Sequence, residues 1–341
     1  VLVLLAPIAL SGCYLAHLAD GQLRLLRSAR PIDAALADPA TPPDVRTALA
    51  EVEPVLAYAR ALGLDVGRQY RTYAPWPGDR VVTALVATRP DEVRPAGFWF
   101  PIVGRVPYKG FFDPARAEAE AQRLRARGFD TCLVAVPAYS TLGWFADPVT
   151  TPLLRRGPGP LVETLLHELV HATVFVADDA DWNEGVATFV GQEGSVRYFA
   201  ARGGDGAAAA ERRRIADERA VARVLRGLHA RVAALYREPP SPARDAARAA
   251  AGDAARAALA ALPLATLDPA RVAAAARLND ACLALAATYQ GDLDAYARRL
   301  AEASGDLSAF VSAVRAAAEA RDPRGALGLP PRPDPEAAPP P

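Results

Sequence analysis

The spacing of apolar and polar positions divides the chain into stretches of different character. Positions 1–12, VLVLLAPIALSG, are apolar almost without a break. From Tyr14 the apolar residues fall at helical spacing, and Leu15, Leu18, Leu23, Leu25 and Leu26 lead into Pro31. A second helical stretch opens after Thr41-Pro42-Pro43-Asp44, with proline near the first turn where its missing N–H costs nothing, and closes near Gly63. Beyond Gly67 the rhythm shortens. Positions 81–87 (VVTALVA), 98–100 (FWF) and 131–136 (TCLVAV) read as strands, and positions 114–128 between the last two read as a helix ended by Gly128.

Gly157-Pro158-Gly159-Pro160 marks a break, after which positions 161–177 are apolar nearly all round. A further helix is expected to run to about Arg202 and to be interrupted at Gly203-Gly204-Asp205-Gly206. The rest reads as helices at 207–236, 243–262, 270–289, 293–303 and 307–320, separated by Pro239-Pro240-Ser241-Pro242 and Leu267-Asp268-Pro269. The expected fold is α+β and predominantly helical, with a small mixed β-sheet and a helical C-terminal half. The linear partition is a signal remnant at 1–12, helices and sheet at 13–156, a helix pair at 157–202, a helical region at 203–321 and a Pro-rich disordered tail at 322–341.

Within the apolar stretch stands His167-Glu168-Leu169-Val170-His171. On a helix this H-E-x-x-H spacing puts both imidazoles on one face, one turn apart, where they can bind a single zinc ion with Glu168 beside them as a base. A catalytic zinc takes three protein ligands and leaves one position open, so a third donor is required, and Glu184 in Trp182-Asn183-Glu184-Gly185 is the candidate. The chain has four histidines, His17, His167, His171 and His229, and two of them make this motif. Burying two imidazoles and a carboxylate without partners would cost roughly 2–7 kcal/mol for each uncompensated group, and one bound metal ion removes that cost. The inert alternative is a buried helix whose histidines are satisfied by ordinary hydrogen bonds. A closed structural zinc site fits less well, because such sites use four ligands rich in cysteine. Asn183 and Thr188 share the Glu184 segment and are candidates for supporting the ligands from behind, with capping and packing as the plainer reading.

Composition narrows the setting. Lysines plus arginines equal aspartates plus glutamates at 39 each, so no net positive charge recommends a nucleic-acid partner. Methionine is absent, which predicts sequence upstream of Val1. The apolar run ending at Cys13 is shorter than the ~20 residues a bilayer span needs, and fits the core of a secretory signal. Leu10-Ser11-Gly12-Cys13 resembles the bacterial lipobox, which predicts lipid on Cys13, export, and a membrane anchor in the cell envelope. Export permits a disulfide between Cys132 and Cys282, but each lies in an apolar stretch, and two separate buried thiols are the favoured expectation.

Asn183-Glu184-Gly185-Val186-Ala187-Thr188 resembles the second zinc helix of the gluzincin metallopeptidases, whose Asn-Glu-x-x-Ala pattern supplies the third ligand. The longer H-E-x-x-H-x-x-G-x-x-H layout is excluded, since Val174 and Ala177 stand where glycine and histidine would be needed. The interval from His171 to Glu184 is shorter than in the best-known gluzincins and demands a tight turn. Five further segments extend the likeness: Gly12-Cys13-Tyr14 with Gly21-Gln22-Leu23, Phe100 to Gly104, Pro107 to Asp113, and Ala138 to Pro148. With them the chain resembles a bacterial family of predicted lipoproteins described as putative aminopeptidases. The resemblance implies a zincin-like peptidase with one Zn2+ held by His167, His171 and Glu184, Glu168 as general base, and a peptide substrate. It also implies a substrate-binding edge strand, for which Tyr139, Ser140, Thr141, Leu142 and Gly143 are the candidates. An oxyanion-stabilising tyrosine or histidine is implied too. Tyr289 is the preferred one; Tyr139, Tyr236 and His229 stay open, and Tyr198, about 21 Å along the helix from Glu184, is excluded unless that helix breaks. A free substrate amine would want an acidic partner, for which Glu163 and Glu193 are available. An endopeptidase of the same zinc class and a non-catalytic envelope lipoprotein are the competing readings.

Overall fold

The structure, a computed structural model, describes residues 6–100, 104–137, 146–177, 179–288 and 293–331. It is α+β and predominantly helical, as expected. The chain is grouped into two compact units, each drawn from segments far apart in sequence. One comprises Val1–Glu51, Arg68–Leu161 and Ala209–Ala287; the other comprises Val52–Gly67, Val162–Ala208 and Thr288–Pro341. These units cut across the linear partition.

The first unit holds the sheets. Strand Val82–Thr88 is central and antiparallel to both Tyr108–Phe111 and Asp130–Val136. Every residue of the central strand is buried, because both faces are covered. Leu85, Ala87 and Phe111 pack on Ala117, Ala121 and Leu124 of helix Pro114–Arg125, while Val86 and Cys132 pack on Ala281 of helix Asp280–Thr288. A separate mixed sheet joins Arg30–Pro31, Thr72–Ala74 and Val149–Thr150, antiparallel then parallel. Strand Phe98–Phe100 belongs to neither; it pairs with Gly104–Val106 in a hairpin of its own. The single sheet expected from the sequence is therefore divided, since nothing in alternation alone says which strands pair.

Cys132 and Cys282 are joined by a disulfide, with Cα atoms 5.1 Å apart. This corrects the expectation of two free thiols. The cause is that the two apolar stretches are one packing layer. Asn279 Nδ2 donates to Asp130 Oδ1 and to the Thr131 carbonyl, both at 2.9 Å, and the Ala281 N–H donates to Asp130 Oδ2. The sheet edge is thereby tied to the start of the helix that carries Cys282.

The second unit is helical, built from Val52–Ala61, most of Pro158–Thr173, the first half of Ala180–Leu235, Leu293–Glu302 and Leu307–Ala318. Phe189 lies against Tyr296 and Phe310, with ring centroids 5.8 and 5.2 Å apart, and Tyr58 against Tyr198 at 5.6 Å. The helix is interrupted at the expected glycines: Gly204, at φ 69° and ψ −167°, leaves the helical conformation in a region that suits glycine and separates two helical halves. Pro158 and Pro160, by contrast, form the first turn of a helix, where proline is tolerated, instead of a break before it. Order also persists past 322. Asp322 caps a short helix, Pro323–Ala326, and Leu327 and Leu329 are buried beyond it. The disordered tail expected from 322 therefore does not begin there, and 332–341 lie outside the described residues. No described helix is long and apolar enough to cross a membrane.

The disulfide spans 150 residues of sequence. In the chain-entropy account a loop of that order contributes about 4–5 kcal/mol by restricting the unfolded ensemble. Replacing both cysteines by serine is expected to lower the Tm clearly, and thiol titration of the unreduced protein is expected to find Cys132 and Cys282 unreactive. An unchanged Tm would show that the bond contributes nothing to stability.

Candidate metal centre

The two donor-bearing helices lie close together because their contact face is made of small residues. A Cβ built on Gly191 would stand 2.9 Å from the Glu163 carbonyl oxygen and 3.4 Å from His167 Cβ. One built on Gly194 would stand 2.7 Å from Leu166 Cδ1. Glycine within a helix costs about 1 kcal/mol relative to alanine. Here it removes the side chain that would hold the helices apart. Around this contact Leu165, Leu166, Leu169, Val170, Trp182 and Val186 are buried.

The turn between the helices is short. The first ends at Thr173 and the second begins at Ala180. Asn183 clamps it, its Oδ1 accepting from the Val176 N–H and its Nδ2 donating to the Val176 carbonyl, both at 2.8 Å. Both polar atoms of Asn183 are therefore engaged with the loop backbone, so it acts on the turn and not on a ligand side chain. Asp179 caps the second helix, its Oδ1 accepting from the Trp182 N–H at 3.1 Å and its carbonyl from the Asn183 N–H at 3.1 Å. Thr173 Oγ1 closes the other end, donating to the Leu169 carbonyl and accepting from the Asp65 N–H at 2.8 Å.

This scaffold brings together the three expected donors. His167 Nε2 and His171 Nε2 are 3.1 Å apart; Glu184 Oε2 lies 3.3 Å from the first and Oε1 3.6 Å from the second. Among the described residues this is the one cluster of three His, Cys, Asp or Glu side chains able to share an ion, and no fourth such residue joins it. Glu184 Oε2 is buried with no hydrogen bond aligned on it, an orphaned acceptor of the kind a cation would satisfy.

Burial opposes a charged imidazole at His167, but its contact with Glu184 and the nearby charges of Glu168 and Glu163 outweigh burial and raise its pKa. Burial likewise opposes ionisation of Glu184, yet the two histidines prevail and hold its carboxyl down at about 2. Without metal, the three side chains are thus one another's polar neighbours, at 3.1–3.6 Å.

The remaining candidates are placed elsewhere or lie outside the described residues. Glu168 is half-buried beside His167, and Thr188 is half-buried one turn beyond Glu184. Tyr198 is buried against Tyr58. The Tyr236 hydroxyl donates to Asp280 at 2.6 Å, and burial, with that carboxylate, pushes its pKa up to about 12. His229 Nε2 is bonded to the Val93 carbonyl, and His17 is buried beside the rings of Phe111 and Phe112. Tyr289 and the segment Tyr139, Ser140, Thr141, Leu142 and Gly143 lie outside the described residues. Sequence reasoning missed Gly191, Gly194, Asp179 and Arg324. The glycines did carry a signal, since two of them three positions apart in a helix need a packing reason. Arg324 carried none.

Among known proteins, a family model described as "Putative aminopeptidase" matches residues 13–326. No curated protein and no solved structure matches the chain.

The electrostatics set opposite pH dependences for the two states of the site. The raised His167 contributes stability to the metal-free protein that is full below about pH 6.5, the ordinary histidine value, and is lost as pH rises through the raised one. The depressed Glu184 contributes stability above about pH 4.5 that is lost only as pH falls through about 2. Metal must displace the His167 proton, so its affinity rises with pH, about tenfold per unit for each proton released. Between pH 6 and 8, Tm is expected to fall with rising pH in chelator and to rise with pH in excess zinc. Parallel slopes would mean that the trio does not bind the ion.

Proposed function

From the premise that this chain belongs to the family described as "Putative aminopeptidase", we propose that it is a zinc-dependent metallopeptidase. In this reading it removes N-terminal residues from peptides in the cell envelope. The observation that carries the reading is the spacing of the three donors. In a tetrahedral zinc site with bonds of about 2.0–2.1 Å, neighbouring donors are roughly 3.3–3.4 Å apart. The two imidazole nitrogens are 3.1 Å apart, and each lies within 3.6 Å of a Glu184 oxygen, Oε2 for His167 and Oε1 for His171; with one donor atom taken from each residue, all three fall within 4.8 Å, near enough to share one ion. Two imidazoles and one carboxylate also form a donor set that suits zinc and leaves a position free, as catalytic zinc sites do. When bound, the ion supplies Lewis acidity, polarising a carbonyl and making a water acidic near neutral pH.

The chain's own residues supply the rest. Glu168 is half-buried, with no hydrogen bond or ion pair to another described residue, and its charge is felt at His167. It is the general base, taking the proton of the attacking water and delivering it to the departing amine. Glu163 lies one turn before His167 on the same face, and its charge also reaches that imidazole. Glu193 is nine residues past Glu184, about half a turn round the helix, and so faces away. In this reading Glu163 is the group that holds a substrate ammonium, as an exopeptidase requires.

For location, the reading assigns a lipid anchor to Cys13. It is supported by the Leu10-Ser11-Gly12-Cys13 sequence and by the outer face of helix Ala6–Ser28, where Leu15 and Leu23 are exposed just after that cysteine. Labelling with a fatty-acid analogue in a bacterial host is expected to tag the wild type and not Cys13→Ala; equal labelling would remove the assignment.

The catalytic reading is tested by zinc content and turnover on aminoacyl amides and N-blocked peptides. Wild type is expected to hold one zinc and to cut only free-amine substrates. Glu168→Gln is expected to keep zinc and lose turnover by about 10²–10⁴-fold. Glu163→Gln is expected mainly to raise KM. Cleavage of blocked peptides would make it an endopeptidase, and absence of zinc would leave a non-catalytic envelope protein.

A further inference from the structure

We propose that residues 323–329 form a strut that sets the position of Glu184, with Arg324 as its positioning residue. The inference rests on the metal reading of the site. Arg324 donates twice to Asp179, Nε to Oδ2 and a terminal nitrogen to Oδ1, each at 2.6 Å. That carboxylate caps the helix whose fifth residue is Glu184. A capping aspartate ordinarily keeps its charge by facing water. Asp179 is only 6% exposed, so its charge depends on a partner. Arg324 supplies the partner, and its planar two-pronged geometry also fixes the direction of the carboxylate, which a lysine would not do.

Arg324 is itself held from several sides. Asp322 caps its short helix, and the Leu327 and Leu329 N–H groups both donate to the Arg324 carbonyl. Arg299 donates to the Ala326 carbonyl at 2.8 Å, and the buried Leu327 and Leu329 anchor the segment. The mechanical link to the ligand is short. Asp179, the Val176 loop and Asn183 form one hydrogen-bonded unit ending at the residue before Glu184. Glu184 meets the two imidazoles at 3.3 and 3.6 Å, and whether its carboxylate can reach them is set by where the start of its helix lies. Releasing Asp179 frees that helix end to shift or fray, and small shifts of a ligand cost metal affinity, typically 10–100-fold for lost supporting partners.

The test measures zinc affinity of the full chain by competition with a chromogenic chelator, alongside the Tm of each metal-free variant. Arg324→Gln is expected to weaken zinc binding at least tenfold, with Arg324→Lys in between. Arg116→Gln, which breaks an exposed pair with Asp113 in the other unit, is expected to leave affinity unchanged. In the Glu184→Ala background, where only the histidines hold the ion, adding Arg324→Gln is expected to change affinity less than twofold, while lowering Tm as much as it does alone. An equal loss of affinity in both backgrounds would make Arg324 merely structural and overturn the proposal, as would unchanged affinity in Arg324→Gln and Arg324→Lys. A wild type that binds no zinc would sink the metal reading and the strut with it; a wild type that binds zinc while the variants match it would sink the strut alone.

Discussion

The structure depends on one constraint: two imidazoles and a carboxylate must sit between helices whose neighbouring residues are apolar and fully buried. Leu165, Leu166 and Leu169 are wholly inaccessible, and His167 and His171 are spaced among them. Such groups persist in a core only if each has a partner. Here they are one another's partners, at 3.1–3.6 Å, and the arrangement shifts both protonation equilibria in the direction that keeps the pair charged. A buried ion pair by itself is weak evidence for stability, since desolvation offsets much of its attraction. A polar trio that converges on one point and leaves an acceptor orphaned is better explained by what it can bind than by what it stabilises.

Meeting that constraint requires the two helices to approach more closely than ordinary side chains allow. Gly191 and Gly194 give that approach, at a cost in helix propensity that their exposed-helix equivalents would not justify. Close approach in turn requires a short, firm connection. The Asn183 clamp and the Asp179 cap satisfy the backbone groups that a tight turn would leave unpaired. The short interval between His171 and Glu184 is thus closed with its backbone groups satisfied.

Much of the fold was legible in the sequence, and what escaped has a common cause. The helix at 114–125, the strands at 82–88 and 130–136, and the helical second half follow from periodicity and punctuation, which are local properties. Pairing is not local. Phe98–Phe100 has a good strand pattern yet joins a separate hairpin, and two cysteines in unremarkable apolar stretches prove to share one packing layer. Proline misled where position mattered more than identity. Pro158 and Pro160 open a helix and do not break the chain before it, whereas the glycines at 203–206 do interrupt theirs, at Gly204.

The site divides along the same line, and the division says something about how such a centre is encoded. The donors occupy positions 167–184 and were readable because metal chemistry restricts residue type and spacing over a few turns. Their orientation draws on Val52–Gly67 and on the C-terminal segment of the same unit, more than a hundred residues away on either side. A guanidinium can neutralise Asp179 from any point in sequence, so no spacing rule reveals Arg324, and a run rich in proline and arginine reads as tail. Ligand identity is thus a short-range property and ligand placement a long-range one. Two chains with the same motif can therefore differ widely in metal affinity if one has lost a distant support.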